Sequence, residues 1–328
     1  MHSQSKFRET LVTLILITFG AVTHHTHARL HSKREEEAPE NGIIIIGAGI
    51  AGLSAARALH EAGEAVVVLE AKNYMGGRMR SISLGDSVDD ATIFDSGAAW
   101  LDGIYGNQMA QLARFFSVEY VSYDVWSLNE EGDDGNVVAY DAVTDTNIDV
   151  STLQYYALYF TESVDNLRWS LNKDASVADG AELYIKNNWL SGDQARYAWY
   201  AIDQFLVEAY YSGTSASMSL EYLWTEEEFE GGSYVFPGGY GQITDGLAST
   251  LDVRLETVVD RITYTDDNGV TVRTSDGREF SGSKVIVTVP LGVLKSNDIE
   301  FVPELPTDVK GAIDRLGFGT HEKVIMTF

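Results

Sequence analysis

The 328-residue chain contains no cysteine. It can form no disulfide, so it must rely on its own apolar core, which a chain of this length can bury. Cations are scarce as well. Lys and Arg number 23 against 49 Asp and Glu, a formal net charge of −26. That balance opposes nucleic acid and anionic membranes as partners and would suit cationic ligands, although much of it is solvated surface under any function. The apolar stretch Leu11 to Val22, about a dozen residues, is too short for a comfortable membrane span. With Lys6 and Arg8 before it and Thr26-His27-Ala28 after it, it reads as a secretory signal over residues 1–28. An uncleaved signal anchor is the competing reading. A secreted protein without stable membrane association is the expectation. There is no Asn-x-Ser/Thr sequon, so N-glycosylation is not expected. His24, His25, His27 and His31 cluster beside the cleavage position and read as part of a processing segment; no metal is assigned. Glu35-Glu36-Glu37 with Pro39 marks residues 29–41 as a flexible leader.

What is present begins at Gly42. Ile43 to Ile46 is an all-apolar run, as expected of a parallel strand buried on both faces. Gly47, Gly49 and Gly52 follow: one for a tight turn, one for approach of a pyrophosphate, one for close helix packing. A helix from about Ile50 to Ala62 then offers its N-terminus, with Ile50 and Ala51 in the first turn, to phosphates. Gly63 stops it. A second apolar strand, Ala65 to Leu69, ends in Glu70, placed to accept hydrogen bonds from ribose hydroxyls. Strand, turn, helix, strand and acid in this order form a dinucleotide site. They do not by themselves separate NAD from FAD.

The next residues, Ala71-Lys72-Asn73-Tyr74-Met75-Gly76-Gly77-Arg78-Met79-Arg80, resemble the second fingerprint of the flavin-containing amine oxidase family. There Gly77 lets the backbone pass close to FAD and Arg78 supplies a cation. Further segments extend the resemblance, most closely to polyamine oxidases. Phe94 to Gly103 is similar to the stretch that passes the flavin, through Gly97 and Ala98, into the active site. Phe236-Pro237-Gly238-Gly239-Tyr240 is similar to the return into the FAD domain. Leu255 to Ile262 resembles the strand whose valine backbone holds the adenine; Val258 is the choice and Val259 the reserve. Val289 to Leu294 resembles a signature at the domain junction. Leu316 to Val324 resembles the segment whose lysine, here Lys323, hydrogen-bonds flavin N5 through a water. A strand is expected to follow, from Val324 to Phe328.

The resemblance implies an α/β fold: a Rossmann-like FAD-binding domain with an interleaved, mostly helical α+β substrate domain. Its parts are expected at 42–104 and 239–300 for FAD, 105–238 for the helical insertion, and 301–328 for a second substrate-domain segment. Family members continue past the lysine segment, so the chain reads as C-terminally truncated and can be inactive on its own. The implied activity is oxidation of an amine, most closely a polyamine, to an imine, with O₂ reduced to H₂O₂. Asp102 stands where such oxidases carry an acid for a substrate ammonium group, shortened here from Glu. Trp100 is placed to wall the site. A second acid would fall at Tyr210; Glu208 nearby faces elsewhere in a regular helix. Monoamine or L-amino-acid oxidation remains an alternative, the latter needing an arginine such as Arg168 or Arg196. So does a catalytically silent secreted protein. The signal segment disfavours a histone-demethylase-like role. The sequence assigns no oligomeric state.

Between these motifs, helices are expected at Gln108–Phe116, Val150–Leu171, Val177–Asn187 and Asp193–Tyr211. Leu153, Tyr156, Leu158, Phe160, Leu167, Trp199, Ile202, Phe205 and Leu206 are expected to pack. A strand is expected at Val118–Val125, an acidic loop at Glu130–Asn136, and hairpin turns at Asp266–Gly269 and Ser275–Gly277.

Overall fold

The computed structural model describes residues 42–84, 92–122, 139–141, 143–226, 228–265 and 269–325. The signal, the leader and the acidic loop lie outside these residues, as do Asp266 to Asn268 and the last three positions of the expected terminal strand. The chain divides into two compact units. One joins the described residues up to 122 to Ser233–Asp314. The other joins those from 139 to Gly232 to the residues from Arg315 onward.

In the first unit, β1 (Ile43–Ile46), α1 (Ile50–Glu61) and β2 (Val66–Leu69) form the βαβ element that the sequence announces. β1 is central in a four-stranded parallel sheet ordered Asp252–Arg254, β2, β1, Lys284–Val287. All four isoleucines are buried because both faces are covered. Ile43 and Ile45 pack with Leu53 and Ala56 of α1 and with Ile243 and Leu247. Ile44 and Ile46 pack with Ile262, Val272 and Phe280 of a second sheet. That sheet runs Glu279–Gly282, Gly269–Thr274, Val259–Thr265, Glu300–Val302. β3 (Ser81–Leu84) and β4 (Thr92–Asp95) pair as a hairpin. β5 (Trp100–Asp102) pairs with Ser233–Val235, which also pairs with Val121–Ser122. The units therefore change over near 123 and 232, where the sequence expectation put 104 and 238. The pairing of β5 with Ser233–Val235 holds both stretches in the first unit. Of the expected strand Val118–Val125, Val121–Ser122 is extended and paired, while 118–120 is irregular.

The second unit is built on Val150–Ser170 and Val177–Asn187, capped by Asp149 and by the reciprocal Ser176–Asp179 box. Their buried face carries Leu153, Tyr156, Phe160, Leu167, Ala181 and Tyr184, with Phe160 edge-on to Tyr184 at 5.7 Å. Leu158 and Phe205, expected to pack, are exposed. Leu158 sits off the 153–156–160–167 stripe, so the same helix cannot bury it. The expected single helix Asp193–Tyr211 is three pieces: Asp193–Tyr200, a π-helix Ala201–Glu208, and Ala209–Tyr211. The Ala209 N–H reaches back five residues to the Gln204 carbonyl. Arg168 donates to the carbonyls of Leu220 and Leu223 and pairs with Asp165. Arg196 pairs with Asp141 and Asp193. Both guanidinium groups are engaged within the unit.

Candidate cofactor and active site

The cofactor residues chosen from the sequence come together at the C-terminal ends of β1 and β2. Gly47 has φ +104, and a Cβ there would lie 2.9 Å from the Thr288 hydroxyl. A Cβ on Gly52 would lie 1.9 Å from the Gly47 carbonyl. Both glycines are therefore required by the fold itself. Gly49 differs. Its φ is −79, and a Cβ there meets nothing within 4 Å. The fold does not need glycine at 49; a ligand lying against the backbone does. Gly49 caps α1, whose first turn, with Ile50 and Ala51, carries no acid. Its leading N–H groups have no carbonyl within the helix to reach, and they carry the positive end of the dipole. An anionic pyrophosphate suits that site.

Glu70 is 8% exposed. Its Oε2 accepts from the Ala48 N–H at 2.7 Å and its Oε1 from the Lys72 N–H at 2.8 Å. The acid thus fastens the glycine turn and has lone pairs left for ribose hydroxyls. The Thr257 N–H donates to the Glu70 carbonyl, which sets Val258 beside it. The Val258 carbonyl accepts from Ser275 while its side chain is exposed; Val259 is buried.

The second fingerprint sits on the first. The Gly76 N–H donates to the Ala48 carbonyl at 2.8 Å, and Gly76 bridges Gly49 in parallel fashion. Gly76 and Gly77 both have positive φ, +94 and +57. The third segment sits on the second. The Ala98 N–H donates to the Arg78 carbonyl at 2.9 Å, and a Cβ on Gly97 would lie 1.7 Å from that oxygen. Ala71, Gly77, Arg78 and Ala98 are exposed, and Gly97 is half-buried. The three segments thus make one glycine-lined cradle with a cation at its rim.

β5 leads straight out of this cradle. Trp100 and Asp102 share one face of it, with Leu101 buried on the other. Trp100 is 48% exposed. The Asp102 carboxylate is exposed and accepts from the Ser233 hydroxyl at 2.8 Å. The buried Asn107 donates to the Asp102 and Gly103 carbonyls and caps the following helix. Tyr240 stacks on Phe236 at 4.3 Å. Burial, with the Asp102 and Asp95 charges behind it, pushes the Tyr240 phenol up to about 12.

Tyr210 and Lys323 belong to the second unit. Tyr210 is 66% exposed, on the short helix after the π-helix, whereas Glu208 is half-buried. Lys323 is half-buried in irregular chain, and Val324 and Ile325 lie outside any strand, contrary to expectation. The lysine segment packs on Ser212. A Cβ on Gly319 would lie 1.9 Å from the Ser212 carbonyl, and His321 Nδ1 is 3.2 Å from the Ser212 hydroxyl. Tyr210 and Lys323 thus flank one contact within their unit.

Two features escaped the sequence reading. Ser81 and Asp95 fix the Pro237–Gly241 segment: the Tyr240 N–H donates to Asp95 Oδ1 and the Gly241 N–H to Ser81 Oγ, each at 2.9 Å. Thr288 closes the glycine turn from the far strand. Neither carries a local sequence signal.

Residues 50–328 match a family described as flavin containing amine oxidoreductase. The chain belongs to that family. Membership carries FAD as the cofactor, and the cradle around Gly49 fits it. Among curated relatives, the chain is 34% identical over 324 residues to Lysine-specific histone demethylase 1 homolog 1 of Arabidopsis thaliana, covering 95% of this chain and 36% of that protein. It is 31% identical to Protein FLOWERING LOCUS D of the same plant, covering 95% of this chain and 39% of that protein. It is 30% identical to Probable polyamine oxidase 4, again from Arabidopsis thaliana, covering 92% and 61%. The chain thus spans between 36% and 61% of the length of these relatives. Among the described residues, no helix is long and apolar enough to cross a membrane, and no group of three or more His, Cys, Asp or Glu could hold a metal.

Proposed function

We propose that the chain is the cofactor-binding portion, with part of the substrate region, of an oxidase that converts a polyamine to an imine. The observation that carries the cofactor half of this reading is Gly49, a glycine with ordinary φ and open space, inside a cradle made by two further glycine segments; the polyamine half rests on the resemblance and on the exposed Asp102 carboxylate beside the cradle. FAD, when bound, would supply the redox chemistry, a two-electron oxidation in which the carbon–hydrogen bond next to nitrogen and a nitrogen-bound proton are lost from the amine and O₂ takes up both electrons and both protons as H₂O₂.

The chain's own part is to bind and orient. The first turn of α1 and Arg78 neutralise phosphate charge. Glu70 holds the ribose. Trp100 walls the amine and Asp102 receives a cationic nitrogen of the substrate, the Ser233 hydroxyl fixing one carboxylate oxygen. A substrate with several ammonium groups suits a protein of net charge −26. The family resemblance gives Lys323 the role of ordering a water beside the flavin. Secretion through residues 1–28 belongs to the same reading.

A second reading draws on the relatives named as lysine-specific histone demethylases. A methylated lysine side chain offers the same kind of carbon–nitrogen bond. The visible spectrum of the purified protein with FAD, taken anaerobically, separates the readings. Bleaching by spermine supports polyamine oxidation. Bleaching by a methyl-lysine peptide alone transfers the activity to the second reading. A bound flavin that stays oxidised with both, or no bound flavin, overturns catalysis by this chain.

A further inference from the structure

The residue before the Val289–Leu294 signature does more for the cofactor turn than the signature's position at a domain junction explains. Thr288 follows the strand Lys284–Val287, which pairs in parallel with β1. Its N–H continues the ladder to the Ile46 carbonyl at 2.9 Å. Its hydroxyl lies 2.9 Å from the same carbonyl and 3.2 Å from the Gly47 carbonyl. The hydroxyl also fills the space that two glycines leave. A Cβ on Gly47 would come within 2.9 Å of it and one on Gly52 within 2.7 Å.

We propose that Thr288 is a positioning residue for FAD, helping to set the orientation of the Gly47–Ala48 peptide that leads into Gly49. A trans peptide is a rigid plane with its C=O and N–H on opposite edges. In the Gly47–Ala48 plane, the Thr288 hydroxyl, its single proton shared with the nearer Ile46 carbonyl, meets the carbonyl edge, and Glu70 Oε2 holds the N–H edge. In the next plane, the Gly76 N–H holds the Ala48 carbonyl. The Gly49 N–H on its far edge is thereby directed away from Gly76, toward the open side of the turn. Two of these three holding groups come from the fingerprints read in the sequence. Thr288 is the third and comes from a strand more than two hundred residues on.

The inference rests on the FAD cofactor and not on the amine substrate, so it survives a failure of the polyamine reading. Thr288→Val keeps the side-chain shape and removes the hydroxyl; Thr288→Ser keeps the hydroxyl. Two readouts apply: exchange of the Gly47, Ala48 and Leu53 amides in the FAD-free protein, and the FAD dissociation constant from flavin fluorescence. Thr288→Val is expected to speed exchange at these amides and weaken FAD about five- to tenfold, the scale of one lost hydrogen bond, while the melting midpoint of the FAD-free protein stays close to wild type. Thr288→Ser is expected to restore both. The proposal is overturned if Thr288→Val exchanges like wild type, if Thr288→Ser fails as badly as Thr288→Val, or if exchange rises equally across the first unit. If the chain retains no FAD, the exchange experiment decides alone.

Discussion

The Glu70 carboxylate accepts the Ala48 N–H at 2.7 Å, so the acid that ends β2 fastens the turn that ends β1. A whole helix separates the two in sequence. The same side chain offered to the ribose therefore also shapes the pyrophosphate loop, and the two duties cannot be separated by mutation.

Glu70→Gln tests that double duty. The amide oxygen can replace one acceptor, but its NH₂ group then opposes the other backbone N–H, that of Ala48 or of Lys72. A loss of about 1–3 kcal/mol in stability is expected, together with weaker FAD binding. Thermal melts with and without FAD measure both. Loss of FAD affinity with unchanged stability would show that Ala48 does not depend on Glu70.

Gly49→Ala and Gly97→Ala should act in opposite ways. Alanine at 49 has ordinary φ and an open Cβ site, so the FAD-free protein should lose no more than the roughly 1 kcal/mol of an alanine N-cap, while FAD binds about tenfold less tightly. Alanine at 97 would collide with the Arg78 carbonyl and should cost the fold about 1–3 kcal/mol or more before any cofactor is added. The melting midpoints of the FAD-free proteins separate the two.

Asp141 makes the second unit sensitive to acid. Hydrogen bonds from the Thr144 hydroxyl first, then from the Val143 N–H, Arg196 and Tyr197, hold its carboxyl well below the usual range against the opposing effect of desolvation. A depressed folded value contributes stability above the unfolded value, about 3.9, that is lost as pH falls toward the folded one. Asp141→Asn should therefore be less stable at neutral pH and lose less between about pH 4 and pH 2. Urea midpoints across that range, followed by a probe in the helical unit, are the measurement. Parallel pH profiles would exclude the effect.

Tyr240 acts at the other end of the scale. Its phenol, pushed up to about 12 mainly by burial, favours the folded protein while neutral. That contribution is complete below the unfolded value near 10 and is lost as pH rises through the folded one. Tyr240→Phe keeps the ring against Phe236 and should shift alkaline unfolding of the first unit upward. An unchanged alkaline midpoint would assign the first unit's transition to groups other than Tyr240.

The legible parts of this molecule were those whose signals are local. The run Ile43–Ile46, the three glycines and Glu70 identify a strand, a turn and a second strand within thirty residues, and the structure has each. Val177–Asn187 is bounded by its own capping box and by Asn188, and its limits agree with expectation. The rest depends on partners distant in sequence. Nothing near Thr288 says that its hydroxyl will meet Gly47. Nothing near β5 says that Ser233–Val235 will pair with it. The π-helix at Ala201–Glu208 is invisible to an apolar spacing read at 3.6 residues per turn. The helices Leu291–Ser296 and Thr307–Arg315 are short and bury no residue, so neither announces itself by a run of core positions.

The parallel pairing of β1 with Lys284–Val287 sets an order of assembly. The two strands are separated by more than two hundred residues, so their contact is among the least local in the chain and closes a very long loop. Most of the chain must leave the ribosome before β1 gains its second neighbour and the phosphate loop its last support. Until then an all-apolar strand is left with one side unpaired, and it is in that interval that the nascent protein is most exposed to misassembly.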